Sequence, residues 1–129
     1  MNRLLLDTHT FLWWDSKPEK LSARVLALCQ DPAVILYLSL VSLWEIQIKS
    51  SLGKLPLALP LREIVRVQQE KWDLRLLPIT PAHIFALETL PLYHNDPFDR
   101  LLIAQSTVES LPLASVDSQF SPYSASVIW

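Results

Sequence analysis

The sequence has very little of two residue types on which familiar ligand-binding motifs depend. There is one glycine, Gly53, so neither the dinucleotide-binding motif G-x-G-x-x-G nor the P-loop G-x-x-x-x-G-K-[ST] can be present. There is also one cysteine, Cys29, which excludes an internal disulfide framework and any zinc site built from several cysteines. Nucleotide-binding folds that need glycine-rich loops are therefore excluded, as are small domains stabilised by disulfides or zinc.

Charge of one sign and long apolar runs are also scarce. The 129 residues include 11 Lys and Arg against 13 Asp and Glu, and a net charge of −2 is not the basic signature of a nucleic-acid-binding chain. The longest apolar run, residues 33–38, is far shorter than the ~20 residues of a membrane span. Since 50% of the residues are hydrophobic, we expect one packed domain over residues 1–129, in a soluble cytoplasmic protein with no membrane segment.

Short apolar runs alternate along the chain with stretches of helical periodicity. The predicted strands are Leu4–Leu6, Val34–Leu38, Leu76–Ile79, Leu113–Val116 and Ala125–Ile128. The predicted helices are Leu21–Gln30, Ser42–Leu52, Leu61–Trp72, Pro81–Leu90 and Pro97–Glu109. Strands that are apolar throughout are typical of a parallel sheet covered on both faces. The pattern therefore predicts a three-layer α/β domain, with a mostly parallel central sheet flanked by helices.

Four acidic residues stand at positions that bring them together in such a fold. Asp7 and Asp117 directly follow predicted strands, and Glu45 and Asp99 lie in the first turns of predicted helices. The carboxyl edge of a parallel sheet is where such folds bind ligands. Carboxylates gathered there repel one another unless a cation is present, and hard oxygen ligands suit Mg²⁺ or Mn²⁺. Such a cluster can activate a water and hold phosphate oxygens for an in-line displacement.

Each acid also has a purely structural interpretation. Ser42 and Glu45 have the spacing of a capping box, in which each side chain accepts from the other's backbone N–H. Asp96, before the proline that opens a predicted helix, matches an N-cap. Asp7 and Asp117 are also typical of turns. Only the convergence of all four acids on one sheet edge favours a metal site.

Basic and histidine side chains add less to the interpretation. Lys49 and Arg100 are candidates for a phosphate-binding rim beside the acids, although Lys49 also has the i,i+4 spacing of an ordinary helix pair with Glu45. The three histidines include no closely spaced pair, which indicates supporting or surface roles for His9, His83 and His94.

Four stretches of the chain, taken together, resemble a known family. These are Leu4-Leu5-Leu6-Asp7-Thr8-His9-Thr10-Phe11-Leu12-Trp13-Trp14, Ser42-Leu43-Trp44-Glu45-Ile46, His94-Asn95-Asp96-Pro97-Phe98-Asp99-Arg100-Leu101-Leu102-Ile103-Ala104-Gln105 and Ser115-Val116-Asp117. In this order they resemble the PIN-domain ribonucleases, and among these the VapC-like toxins of bacterial type II toxin–antitoxin pairs. The similarity spans nearly the whole chain.

The resemblance implies a single PIN domain that cleaves RNA with Mg²⁺ or Mn²⁺. It also implies a small antitoxin protein as inhibitory partner and a homodimer. By position, the catalytic and metal-binding acids are Asp7, Glu45, Asp99 and Asp117. Supporting groups around them are Thr8, Ser42 and Asp96, and the candidates for RNA binding are Lys49 and Arg100.

Two alternatives stay open on the sequence alone. One is a catalytically silent PIN-like binding module that keeps only the fold and the partner surface. The other is a phosphatase with an aspartate nucleophile after the first strand. That chemistry usually has a second acid two residues after the nucleophile, where this sequence has His9.

The stretch Gly53–Leu61 alternates leucine with proline, alanine and lysine. Its prolines exclude an ordinary central strand. One interpretation is a loop that covers the domain's own core. The other is an apolar groove in which an amphipathic segment of the antitoxin docks, with a basic side chain placed against the acids.

Overall fold

Five short parallel strands form the centre of the computed structural model, which describes residues 2–123 and 125–129. Neighbouring strands lie in the order β3-β2-β1-β4-β5, and each neighbouring pair is parallel. The strands are β1 (Arg3–Leu6), β2 (Ile35–Ser39), β3 (Arg75–Leu77), β4 (Leu113–Ala114) and β5 (Val127–Ile128). Because all the strands run in one direction, their carboxyl ends lie along one edge of the sheet.

Six α-helices surround the sheet within the described residues. They are α1 (Thr8–Ser16), α2 (Ala23–Gln30), α3 (Leu40–Ser51), α4 (Leu61–Trp72), α5 (Pro81–Ala86) and α6 (Pro97–Glu109), with short 3₁₀ turns at Pro18–Lys20 and Ser118–Phe120. The bounds predicted for α4 and α6 are confirmed. Local chemistry explains them, since α6 begins after the N-cap Asp96 and α4 ends at Asp73 in the left-handed conformation.

The apolar side chains form two cores, one on each face of the sheet. Leu4 and Leu6 of β1 pack with Phe11 on one face, whereas Leu5 packs with Leu102 of α6 on the other. All five side chains are fully buried, and burial of each contributes about 1.5–3 kcal/mol. This alternation confirms the three-layer α/β architecture and holds the end of β1, where Asp7 follows, rigidly in place.

The start of α3 differs from the prediction. The helix begins at Leu40, and its N-cap is Ser39, whose hydroxyl accepts the N–H of Val41. Ser42 therefore lies within the helix, and the predicted capping box with Glu45 is wrong. The local pattern was misleading because the side chains of Ser42 and Glu45 both bond to Thr8 of α1.

Other differences concern the ends of elements. The predicted strands Leu76–Ile79 and Leu113–Val116 are shorter, ending at Leu77 and Ala114, and the helix predicted to reach Leu90 ends at Ala86. Helix α1 was not predicted at all. Among the described residues, no helix combines the length and the apolar character that a bilayer crossing requires.

Candidate active site

Asp7 joins the end of β1 to the beginning of α1. Its carboxylate is the N-cap of α1 and accepts the N–H of Thr10 at 2.8 Å, so a capping role and a site role coincide in one residue. Only 6% of Asp7 is exposed. Burial raises the pKa of the carboxyl group, and hydrogen bonds from Ser115 and Thr10 oppose that rise only in part. A buried carboxylate of this kind is stabilised by a cation.

Glu45 lies in the second turn of α3 and faces Thr8, the residue that follows Asp7. The hydroxyl of Thr8 donates to Glu45 Oε1 at 2.7 Å. The Thr8 hydroxyl has only one hydrogen, which is used in the bond to Glu45. In the 3.0 Å contact between Thr8 and Ser42, the Ser42 hydroxyl is therefore the donor and Thr8 the acceptor. Lys49 Nζ lies 2.6 Å from Glu45 Oε2, and this hydrogen bond raises the pKa of Lys49. Both oxygens of the buried Glu45 carboxylate are therefore held.

Asp99 and Asp117 both lie beside one nitrogen of the His94 ring. His94 Nε2 lies 3.0 Å from Asp99 Oδ2 and 3.4 Å from Asp117 Oδ2. Burial, followed by the negative charge of Asp96, raises the pKa of Asp99 to about 7. Glu45 and Asp117 contribute to the rise as well, which shows that their charges reach Asp99.

The structure divides the four predicted acids into two connected groups. One ligand atom from each of His94, Asp99 and Asp117 lies within 4.8 Å of the others, a group that does not contain Asp7 or Glu45 among the residues described. Ser115 is close to both groups, because its hydroxyl accepts the N–H of Asp117 at 3.0 Å and also lowers the pKa of Asp7. Asp99 and Asp117 therefore share one cluster, and Asp7 and Glu45 lie outside it.

Asp96 and Arg100 hold the segment that precedes α6. Asp96 is the N-cap, and its Oδ1 accepts the N–H groups of Phe98 and Asp99 at 2.8 and 3.1 Å. Arg100 donates to main-chain carbonyls, which belong to Leu90, Pro91 and His94. These bonds engage the guanidinium of Arg100 within the protein, whereas Lys49 pairs with Glu45 and has 41% of its side chain exposed.

Sequence reasoning gave too little weight to His94 and missed Ser115. His94 is only 7% exposed and lies among the acids, whereas His9 is exposed and His83 is buried beside Glu109 at 2.9 Å. The position of His94 two residues before Asp96 was the available signal. It was not decisive because the orientation of the ring depends on contacts that come from distant parts of the chain.

A family model described as PIN domain matches residues 4–125. The chain belongs to the PIN domain family. A relative 28% identical over 118 residues, covering 91% of this chain and 88% of that protein, is Ribonuclease VapC22 of Mycobacterium tuberculosis (strain ATCC 25618 / H37Rv).

Solved structures share the fold of this PIN domain at low sequence identity. VapBC2 from Rickettsia felis bound to a DNA fragment from their promoter aligns with a TM-score of 0.73 and 13% identity, covering 98% of this chain and 97% of that one. FitAcB from Neisseria gonorrhoeae aligns with a TM-score of 0.65 and 19% identity, covering 98% and 96%.

The segment from Gly53 to Leu61 of this PIN domain packs on the core and also lines part of the surface. Leu55 and Leu57 pack against the core, as a covering loop requires, whereas 52% of Leu59 is exposed. The segment also lines two surface cavities, one of about 520 Å³ beside α3 and one of about 270 Å³ beside α1. Its inner side covers the core and its outer side forms a groove.

Proposed function

We propose that this PIN domain is a metal-dependent ribonuclease and the toxin of a type II toxin–antitoxin pair, with residues 1–129 as a single domain. The observation that carries the proposal is the set of partly or fully buried carboxylates at the carboxyl edge of the sheet, in which Asp99 has a pKa of about 7. The similarity to Ribonuclease VapC22 supports RNA as the substrate.

The donor set fits a hard divalent cation. Desolvation raises the pKa values of Asp7 and Asp99, which means that both anionic carboxylates lack the positive charge that would offset their burial. Oxygen ligands of this kind suit Mg²⁺ or Mn²⁺. The residues that would hold the ion are Asp7, Glu45, Asp99 and Asp117. When bound, it supplies an activated water and neutralises negative charge at the phosphate.

The protein's own groups orient these carboxylates and receive the substrate. Thr8 and Ser42 fix one oxygen of Glu45, and Asp96 fixes the first turn of α6, on which Asp99 lies. Lys49 bridges the buried site and the surface, since 41% of its side chain is exposed. Its ammonium group is therefore positioned to pair with a phosphate of the RNA backbone.

An antitoxin and a second copy of the chain are the proposed protein partners. Structures of relatives have been solved as VapBC and FitAB complexes. The outer side of the Gly53–Leu61 segment, with its exposed Leu59, suits an apolar antitoxin segment. A basic side chain of that segment would reach the acidic edge and block it.

Substitution of Asp99 tests the assignment of the site. Asp99→Asn keeps the shape of the side chain and removes its charge. Metal-dependent cleavage of a generic RNA should therefore fall by more than the roughly 10–100-fold loss that is typical when a group that only supports a ligand is replaced. Asp73→Asn, at an exposed acid that ends α4, is the matched control and should cleave normally. Cleavage retained by Asp99→Asn at saturating Mg²⁺ contradicts the assignment. A silent module cleaves nothing in either form, and a phosphatase would yield a phosphorylated Asp7.

A further inference from the structure

His94 is fixed by groups that do not belong to the acidic site. Its main-chain N–H donates to the hydroxyl of Tyr123 at 2.8 Å, and Tyr123 is itself 6% exposed. The imidazole ring lies against Phe120, with ring centroids 5.6 Å apart and an interplanar angle of 32°. The position of the ring is therefore set by packing, before any ligand arrives.

The hydrogen bonds around the ring determine which nitrogen carries the hydrogen. Nδ1 accepts the main-chain N–H of Asp96 at 3.2 Å, so Nδ1 presents its lone pair and has no hydrogen. A neutral ring must then carry its hydrogen on Nε2. That hydrogen is directed to Asp117 Oδ2 at 3.4 Å, and Nε2 also lies 3.0 Å from Asp99 Oδ2.

This arrangement excludes the most obvious interpretation of the cluster. His94, Asp99 and Asp117 have the composition of a metal site with one nitrogen ligand. A ligating Nε2 needs a free lone pair, and moving its hydrogen to Nδ1 would set two N–H groups against each other at 3.2 Å. We infer that His94 is a positioning residue, whose Nε2–H donates to the carboxylate of Asp117 and whose Nε2 lies against that of Asp99, and that it is not a metal ligand.

The inference rests on the proposed function for the identification of the two acids as metal ligands. Its physical content is preorganisation, because one ring nitrogen that is fixed in place lies against both acidic groups and sets their separation. It also bears on which ion binds. A site made only of oxygen donors favours Mg²⁺ and Mn²⁺, whereas an imidazole ligand would shift the preference towards Zn²⁺ or Ni²⁺.

Two spectroscopic measurements test the role of His94 without reference to activity. In the metal-free protein, ¹⁵N NMR of the histidine rings should show His94 with its hydrogen on Nε2. With Mn²⁺ bound, electron spin-echo envelope modulation should show no directly coordinated ¹⁴N. A hydrogen on Nδ1, or a ¹⁴N coupling that disappears in His94→Gln, overturns the inference.

Two substitutions separate the functions of the two ring nitrogens. His94→Gln places an amide N–H near the position of Nε2 and should keep the Mn²⁺ affinity near that of the wild type. His94→Asn retains an acceptor for the Asp96 N–H but does not reach the acids, and should weaken Mn²⁺ binding about 10–100-fold. The exposed histidine variant His9→Gln is the control for loss of an imidazole. Wild-type affinity in His94→Asn, with the fold intact by circular dichroism, contradicts the inference.

RNA cleavage by the wild type distinguishes the two possible failures. If the protein binds Mn²⁺ through oxygen ligands but cleaves no RNA, the proposed function fails and the role of His94 stands. If the protein cleaves RNA while Mn²⁺ shows the His94 nitrogen as a ligand, the role of His94 fails and the proposed function stands.

Discussion

Lys49 Nζ lies 2.6 Å from Glu45 Oε2, so one of the four acids already has a cation beside it. The pair has the i,i+4 spacing of an ordinary helix contact, and because 41% of the Lys49 side chain is exposed it contributes little to stability. Under the proposed function, its charge at the edge of the acidic site would compete with a divalent ion.

Removal of the Lys49 charge should tighten metal binding and weaken RNA binding. Lys49→Met keeps the apolar stem and removes one positive charge, whose repulsion of a divalent ion in a water-like dielectric at about 6 Å is worth roughly 1.4 kcal/mol, or about tenfold in Kd. We expect Mn²⁺ to bind about tenfold more tightly, with a higher KM for RNA. Mn²⁺ titration and RNA kinetics measure the two effects separately. Lys49→Arg should preserve both values, and an unchanged Mn²⁺ affinity in Lys49→Met would show that the ammonium does not compete.

The raised pKa of Asp99 predicts how the stability of the metal-free protein depends on pH. Between its ordinary value of 3.8 and about 7, the folded protein holds a proton on Asp99 that the unfolded chain has released. The free energy of unfolding should therefore fall as pH rises through this interval. Asp7 is shifted in the same direction.

Urea denaturation in EDTA, at pH 5 and pH 7.5, measures this dependence. Asp99→Asn should lose less stability than the wild type over that interval, since its amide does not titrate, whereas Asp73→Asn should follow the wild type. Identical slopes for the wild type and Asp99→Asn would mean that Asp99 titrates normally.

Divalent ions should stabilise the folded protein through the acids. An ion that binds only the folded state at 100 times its Kd adds about 2.7 kcal/mol, which raises the Tm of a domain of this size by on the order of 10 °C. The double variant Asp7→Asn/Asp99→Asn should show no such rise in millimolar Mn²⁺ or Mg²⁺ by scanning calorimetry. An equal rise in both proteins would indicate that the ions act elsewhere.

Two leucines of the Gly53–Leu61 segment should separate folding from antitoxin binding. Leu59→Ser, at a half-exposed position, should change the free energy of unfolding by no more than about 0.5 kcal/mol but weaken antitoxin binding by more than about 1 kcal/mol. Leu55→Ser should destabilise the fold by about 1–3 kcal/mol, because Leu55 packs against the core.

Calorimetric titration of the antitoxin into each folded variant measures the difference. Leu92→Ser is the matched control, since Leu92 is 77% exposed in a different loop and should bind the antitoxin normally. Normal binding by Leu59→Ser would place the docking surface elsewhere.

Elements with strong local signals could be predicted from the sequence. Helix α6 has an aspartate N-cap followed by proline, and α4 has a clear apolar face with Ile64 and Val65 buried, so the bounds of both were correct. Helix α1 was missed because its residues show no helical periodicity. Its buried side chains include two threonines, which are buried by the sheet edge and by α3 rather than by an apolar stripe.

The site was predictable in position and less so in geometry. The acids that follow β1 and β4 were recognisable, because parallel strands bring their ends to one edge. The hydrogen bond from Thr8 to Glu45 and the contact between His94 and Asp99 were not, because they depend on how α3 and the segment before α6 pack in three dimensions. Ser42 shows the difference most clearly, since its local spacing indicated a cap and the fold uses it as a hydrogen-bond donor.

The place of β1 at the centre of the sheet determines when, during folding, the acidic edge is assembled. Strands β1, β2 and β3 come from the first 77 residues and lie side by side in the sheet. Of the four acids proposed for the site, this part of the chain contains only Asp7 and Glu45. Asp117 joins them when β4 adds to the free side of β1, a contact that closes a chain of more than 100 residues. A chain that has folded only its first half therefore has no complete acidic edge, and the ability to cleave RNA would arise with the last long-range step of folding.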